Sequence, residues 1–138
     1  MRKLIIAAMF AVSALTAGAS MAQDKQAFTP EQQAEYAATA QTARSLTSYG
    51  EAKGDALALV TAAKMIAGLP GDIRAGEGSQ GPALDVETIL KKAEELAPGD
   101  EIITKIAGDV RAAAAANPKG CYIIEVCNYY YCNYYLVC

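Results

Sequence analysis

The last eighteen residues of the chain, 121–138, have the sequence CYIIEVCNYYYCNYYLVC. They contain all four cysteines of the protein, six of its eight tyrosines and a single charged residue, Glu125. Isoleucine, valine and tyrosine favour extended backbone, because branched and aromatic side chains pack well on a pleated surface. The segment therefore predicts β-structure at the end of a chain that is otherwise rich in alanine.

The cysteines follow the spacing C-x5-C-x4-C-x5-C, which is symmetric about the bond between Tyr129 and Tyr130. If the segment folds back at that bond, the cysteines form two facing pairs, Cys127 with Cys132 and Cys121 with Cys138. In a hairpin with a two-residue loop, both pairs occupy non-hydrogen-bonded positions, where Cα atoms approach to about 4.5 Å and a disulfide can form. The spacing thus predicts two nested disulfides on one face.

The same register assigns the other side chains to two faces, because successive residues of a strand point to opposite sides. On the cysteine face, Ile123 is expected opposite Leu136 and Glu125 opposite Tyr134. The turn is the weak point, since Tyr-Tyr lacks the Asn-Gly or Gly-X sequence of tight hairpins. A four-residue loop over 128–131 would keep the same facing pairs. Free or intermolecular thiols and a tetrathiolate zinc site are the alternatives, although zinc ligands usually lie two to four residues apart.

The amino terminus has the pattern of a secretory signal peptide. Two basic residues at 2–3 precede an apolar run over 4–19, and a small-x-small sequence ends at Ala22. We therefore expect a mature chain that begins at Gln23 and is periplasmic or secreted. Cleavage after residue 19 and a retained anchor are the alternatives. An exported protein meets an oxidising environment, which favours disulfides.

Four amphipathic helical patterns follow the signal peptide. Each begins at a residue that can cap a helix, and the four caps are Thr29, Asp55, Asp85 and Asp100. The first pattern is expected to end near Tyr49-Gly50. Between the second and third, residues 68–82 hold five glycines and two prolines without periodicity, which predicts a mobile surface connection. Its GEGSQG sequence, 76–81, lacks the lysine of a phosphate-binding loop and is interpreted as linker.

These patterns predict an all-α fold, a small antiparallel bundle of two α-hairpins. The expected division is a signal peptide over 1–22, a helical domain over 23–120 and a β-hairpin-like Cys/Tyr-rich tail over 121–138. Because the helices carry their own apolar stripes, removal of the tail is expected to leave a folded helical domain.

Several classes of function are disfavoured by composition. The chain has no histidine, so it cannot form a Ser-His-Asp or Cys-His arrangement or the usual catalytic zinc site. Its net charge of −3, which becomes −5 without Arg2 and Lys3, disfavours nucleic-acid binding. The adjacent carboxylates at 94–95 and 100–101 are typical of solvated helix ends. We expect no enzymatic activity, no cofactor and no metal.

The tail is the remaining candidate for function. We expect a non-enzymatic interaction or structural module that uses the tail for self-association or contact with a protein partner. A membrane interface, where tyrosine is common, is a further candidate contact, but the mature chain is not expected to span a bilayer. Two alternatives are a carrier for a processed or cross-linked C-terminal peptide, and a hairpin that only stabilises the fold. The contact candidates are Tyr122, Ile124, Tyr129, Tyr130, Tyr131 and Tyr135.

Overall fold

The structure, a computed structural model, describes residues 28–79, 81–117 and 119–138. The predicted signal peptide and its cleavage site lie outside these residues. In chain order the elements are α1 (Pro30–Lys53), α2 (Ala56–Ala67), β1 (Ile73–Ala75), α3 (Val86–Leu96), α4 (Glu101–Ala116), β2 (Tyr122–Cys127) and β3 (Cys132–Val137). Within the described part of the chain, no helix combines the length and the apolar character that a membrane span requires.

All four predicted helix caps are confirmed. Thr29 and Gln32 form a capping box, in which the Gln32 backbone N–H donates to the Thr29 hydroxyl and the Thr29 N–H donates to the Gln32 side chain. The side chains of Asp55, Asp85 and Asp100 each accept from backbone N–H groups in the first turn of their helices. These bonds satisfy donors that have no partner inside the helix.

Helix α2 lies at the centre of the helical layer and contacts the three other helices. Eight of its twelve residues are buried. Alanines at many of these positions let the neighbouring helices approach closely. Helix α1 continues past its expected end to Lys53. Gly50 is buried inside it, and because a Cβ there would lie 2.7 Å from Leu59 Cδ2, the absence of a side chain lets α1 and α2 pack closely at this point.

The predicted all-α class is wrong, because the helices share their core with a three-stranded mixed sheet of order β1-β2-β3. Strand β1 pairs in parallel with β2, placing Ile73 beside Ile123, and β2 pairs antiparallel with β3. Both isoleucines are fully buried in the same hydrophobic cluster as the helix stripes. The fold is therefore α+β, and β1 and β2 pair across the boundary predicted at residue 120.

The segment over residues 68–82, expected to be a linker, contains strand β1 and pairs with the hairpin. The backbone of this segment follows β2 along its length: Cys121 N–H donates to the Pro70 carbonyl, Gly76 N–H to the Glu125 carbonyl and Cys127 N–H to the Glu77 carbonyl. The segment thus forms the edge of the sheet opposite β3.

The glycines of this segment allow the close approach. A Cβ on Gly71 would lie 1.8 Å from the Cys121 carbonyl oxygen, and one on Gly78 would lie 2.2 Å from the Cys127 carbonyl oxygen. Gly78 also has a φ of +68°, a backbone conformation that residues with a side chain rarely adopt. The glycines therefore fit a backbone packed against a strand.

We expect Gly71→Ala to destabilise the protein by about 1–3 kcal/mol or more, because the methyl group would force β1 away from β2. Gly108→Ala is the matched control: Gly108 lies on the exposed side of α4 with no atom near its added Cβ. That change should stabilise by about 0.5–1 kcal/mol, since alanine favours a helix interior. Urea unfolding measures both, and equal midpoints for the two variants would contradict the close approach.

Candidate functional site

The hairpin formed by β2 and β3 has the register that the cysteine spacing predicts. Cys127 lies opposite Cys132 and forms a disulfide with it, and Cys121 forms a second disulfide with Cys138. The Cα atoms of the two pairs are 3.9 and 4.2 Å apart. The Ile123 N–H donates to the Asp72 carbonyl and the Cys127 N–H to the Glu77 carbonyl, so both groups point away from β3. The pair of Cys127 and Cys132 is therefore not hydrogen-bonded across the hairpin, as predicted.

The turn contains no glycine, and an asparagine side chain stabilises it instead. Asn128 Oδ1 accepts hydrogen bonds from the N–H groups of Tyr130 at 2.8 Å and Tyr131 at 2.9 Å. The Asn128 N–H in turn donates to the Tyr131 carbonyl at 2.9 Å. Among the described residues only glycines have positive φ, so this turn needs no left-handed residue. The side-chain bonds replace the backbone geometry that Asn-Gly would supply.

Three of the six contact candidates lie on the outer face of the hairpin strands, and the other three lie in the turn. Burial alternates along β2, with its odd-numbered residues buried and its even-numbered residues partly exposed. This alternation places Tyr122 and Ile124 on the outer face with Tyr135, which is 53% exposed. The Arg74 guanidinium lies over the Tyr122 ring at 3.8 Å and borders this face.

The tip of the hairpin carries the remaining three candidates. Tyr129, Tyr130 and Tyr131 are 92%, 86% and 59% exposed, respectively. The first two rings pack edge to face, with centroids 5.1 Å apart. The tip therefore presents three aromatic side chains to solvent on a turn closed by a disulfide.

The inner face of the hairpin is built around a buried carboxylate. Glu125 is fully buried, and its Oε2 accepts from Arg44 Nε at 2.6 Å and from the Tyr134 hydroxyl at 3.0 Å. Its Oε1 accepts from the Ser79 hydroxyl at 2.7 Å. Arg44 also donates from Nη1 to the Pro82 carbonyl at 2.8 Å. Thus Glu125 links α1, the glycine-rich segment and both strands of the hairpin.

The surroundings of Glu125 shift two pKa values. Burial raises the pKa of its carboxyl, but hydrogen bonds from Ser79 and Arg44, the Arg44 charge and the Tyr134 bond outweigh burial and hold that pKa below its usual 4.5. Burial and the hydrogen bond to Glu125 raise the pKa of Tyr134 to about 12. At neutral pH Glu125 is therefore a carboxylate and Tyr134 a neutral phenol.

Sequence reasoning missed Arg44 and Ser79 as partners of this carboxylate. The available signal was Glu125 itself, the only charge in an apolar strand and on the face that carries the cysteines, because such a charge requires a partner when it is buried. The expected pairing of Glu125 with Tyr134 is confirmed.

Metal binding is the other chemistry that this cluster suggests. One oxygen of Glu125 and the sulfurs of Cys127 and Cys132 lie within 4.8 Å of one another. In the structure the two sulfurs are bonded to each other, and a metal ligand must be a thiolate. In this oxidised form the cluster serves as a structural junction.

The helix-end carboxylates have structural partners. Asp100 caps α4, and Glu94 accepts hydrogen bonds from Arg111, which also binds Glu87. An open cavity of about 330 Å³ lies elsewhere, lined by Glu51, Leu59, Lys92, Glu95 and Leu96.

Comparison of the chain with protein-family models, with curated protein sequences and with solved structures found no match.

Proposed function

We propose that this protein is an exported, non-enzymatic interaction module that contacts a protein partner or a second copy through the outer side of its C-terminal hairpin. The observation that carries the proposal is the division of the hairpin into two sides. Its inner side is part of the core, whereas its outer side and tip expose the aromatic candidates, with Tyr129 and Tyr130 almost fully accessible. Exposed aromatic clusters of this kind are common at protein interfaces.

The covalent closure of the hairpin supports the same proposal. Two disulfides fix the strands that present the tyrosines, and the Asn128 side chain fixes the turn. A contact surface that is ordered before binding loses less conformational entropy on association. Tyrosine adds little to this cost, because it has only two side-chain torsions.

Export is part of the proposal. It is supported by the amino-terminal pattern and by the two disulfides, which persist in oxidising compartments. The intact mass of protein recovered from the exported fraction tests it. We expect a chain that begins at Gln23 with all four cysteines oxidised, and a full-length chain with four thiols would contradict export.

The contact side is tested with a triple variant, Tyr129→Ser/Tyr130→Ser/Tyr131→Ser, and a matched control, Tyr49→Ser. Tyr49 is also an exposed tyrosine, at 52%, but it lies on α1 and not on the hairpin. Oxidised wild-type protein and both variants are immobilised, and proteins retained from the exported fraction of the source cells are quantified. We expect partners to be retained by wild type and control, and at least tenfold less by the triple variant, as for loss of aromatic interface residues. Equal retention by all three would contradict the proposal.

The carrier hypothesis receives less support from the contacts. Release of the peptide after residue 120 would remove Ile123 and Glu125 from the core, and would leave Arg44 without its carboxylate partner. For the same reason we expect the chain truncated after residue 120 to unfold, contrary to the prediction from the apolar stripes of the helices alone. The inner side of the hairpin is part of the core, and its outer side remains accessible to a partner.

A further inference from the structure

The third strand, β3, forms an edge of the sheet. The hydrogen bond from Asn128 N–H to the Tyr131 carbonyl identifies that pair as hydrogen-bonded, and such pairs alternate along an antiparallel hairpin. The backbone groups of 133, 135 and 137 therefore bond to β2. Those of 132, 134 and 136 point away from it, toward the open edge.

Strand β3 lacks the sequence features that usually protect an edge from pairing with another strand. Edge strands normally carry lysine, proline or a bulge that prevents addition of a further strand. Strand β3, CNYYLV, has no charged residue and no proline, and its register with β2 runs without interruption from Cys132 to Val137. Its ends are held by two disulfides. The edge is thus regular, uncharged and rigid.

The helix beside this edge carries no exposed charge over its middle turns. Helix α1 contacts β3. Between residues 38 and 48 its exposed side chains are all uncharged, namely Ala38, Gln41, Thr42, Ser45 and Ser48, and the one charged residue there, Arg44, is turned inward toward Glu125. By contrast, α3 and α4 expose charges such as Lys91, Glu95, Lys105 and Asp109. A second copy can therefore approach the middle of α1 and β3 without burying a charged side chain.

We propose that two copies of the chain pair through β3, antiparallel and about a two-fold axis at Tyr135, to form a continuous six-stranded sheet. This inference goes beyond the proposed function, because it assigns the β3 edge to self-association and leaves the tip tyrosines at 129–131 outside the dimer contact. Tyr134 of each copy exchanges hydrogen bonds with Leu136 of the second copy. Tyr135 faces Tyr135 of the second copy at a non-hydrogen-bonded position, where side chains are closest.

This register is preferred over the neighbouring one centred on Tyr134 for a specific reason. The Tyr134 side chain is half-buried and its hydroxyl is bonded to Glu125, so it is not available to pair with itself across the axis. Tyr135 is on the outer face and 53% exposed, and its ring gains a partner on dimerisation. The axis is perpendicular to the sheet, so the two α1 helices lie side by side on the same face.

Analytical ultracentrifugation of oxidised residues 23–138 tests the dimer. We expect a dimer whose dissociation constant rises at least tenfold in Tyr135→Arg, because two like charges would face each other across the axis. Tyr130→Arg is the matched control, since that exposed tyrosine lies in the turn and outside the edge. A wild-type monomer at about 100 µM, or a dimer unaffected by Tyr135→Arg, would overturn the proposal.

Cross-linking provides a second readout that does not depend on tolerance of a charge. In Tyr135→Cys, mild oxidation should give a dimer linked between the two residues 135, with the native disulfides intact by peptide mapping. Asn133→Cys should cross-link at least tenfold less, because residue 133 faces Val137 of the second copy in this register. Equal cross-linking of the Tyr135→Cys and Asn133→Cys variants would overturn the proposed pairing. A monomeric protein whose triple tyrosine variant still loses a partner would overturn the dimer and leave the proposed function intact.

Discussion

Replacement of Arg44 by alanine is expected to reduce the free energy of unfolding by about 3–5 kcal/mol, because it leaves Glu125 buried without a countercharge. Arg44 is 13% exposed and the Glu125 side chain 1% exposed, so solvent cannot replace the lost partner. Since small proteins are stable by only about 5–15 kcal/mol, this loss is a large fraction of the total. Urea unfolding of the oxidised chain measures it.

Two controls distinguish the buried charge from a simple loss of contacts. Lys105→Ala removes an exposed ion pair with Asp109 and should cost less than about 1 kcal/mol. The double variant Arg44→Met/Glu125→Leu removes both charges and should recover most of the stability. A double variant no more stable than Arg44→Ala would contradict the assignment of the cost to an unpaired carboxylate.

The dependence on pH follows from the direction of the Glu125 shift. Its pKa in the folded protein lies below the ordinary 4.5, so the folded state favours the charged carboxylate. The stabilisation is complete above 4.5 and is lost as the pH falls through the folded pKa. The difference in stability between wild type and Arg44→Ala should therefore shrink from neutral pH to about pH 3. A constant difference would contradict the ion pair.

Removal of both disulfides, by replacing all four cysteines with serine, is expected to reduce stability by about 5 kcal/mol. In the chain-entropy model the outer disulfide, with a sequence separation of 17, contributes about 3 kcal/mol, and the inner one, with a separation of 5, about 2 kcal/mol. The loss should reach β1 and the helices, because Ile123 of the hairpin belongs to their core.

The two pairwise variants, Cys121→Ser/Cys138→Ser and Cys127→Ser/Cys132→Ser, are the controls for this series. Each should be folded and less stable than wild type, with the greater loss for the outer pair. Near-ultraviolet circular dichroism follows tyrosine packing during urea unfolding. A four-serine variant with the wild-type midpoint would show that the disulfides do not stabilise the hairpin.

The hairpin could be predicted because its information is local. The spacing of the cysteines fixes the pairing of residues that lie at most seventeen positions apart. The helix caps were predicted for the same reason, since Thr29 and the three aspartates act within one turn. Patterns of this kind are complete within a short segment of sequence.

Strand β1 could not be predicted in the same way. Ile73-Arg74-Ala75 contains one large apolar residue between glycines, and its partner strand lies about fifty residues further along. The glycines that suggested a linker are those that permit close contact with β2. Likewise, Glu125 signals a partner, but nothing near it identifies Arg44, which is 81 positions earlier.

Tyrosine iodination of the native, oxidised protein, with each residue located by mass spectrometry, tests the two-sided hairpin most directly. The phenolate is the reactive form, so accessibility and pKa act together. We expect rapid modification of Tyr129 and Tyr130, and modification of Tyr134 only after unfolding, because that ring packs against the core and its pKa is raised to about 12. If Tyr134 reacts as fast as Tyr130 in the folded protein, the inner side of the hairpin is not docked on the helices, which would contradict the two-sided hairpin.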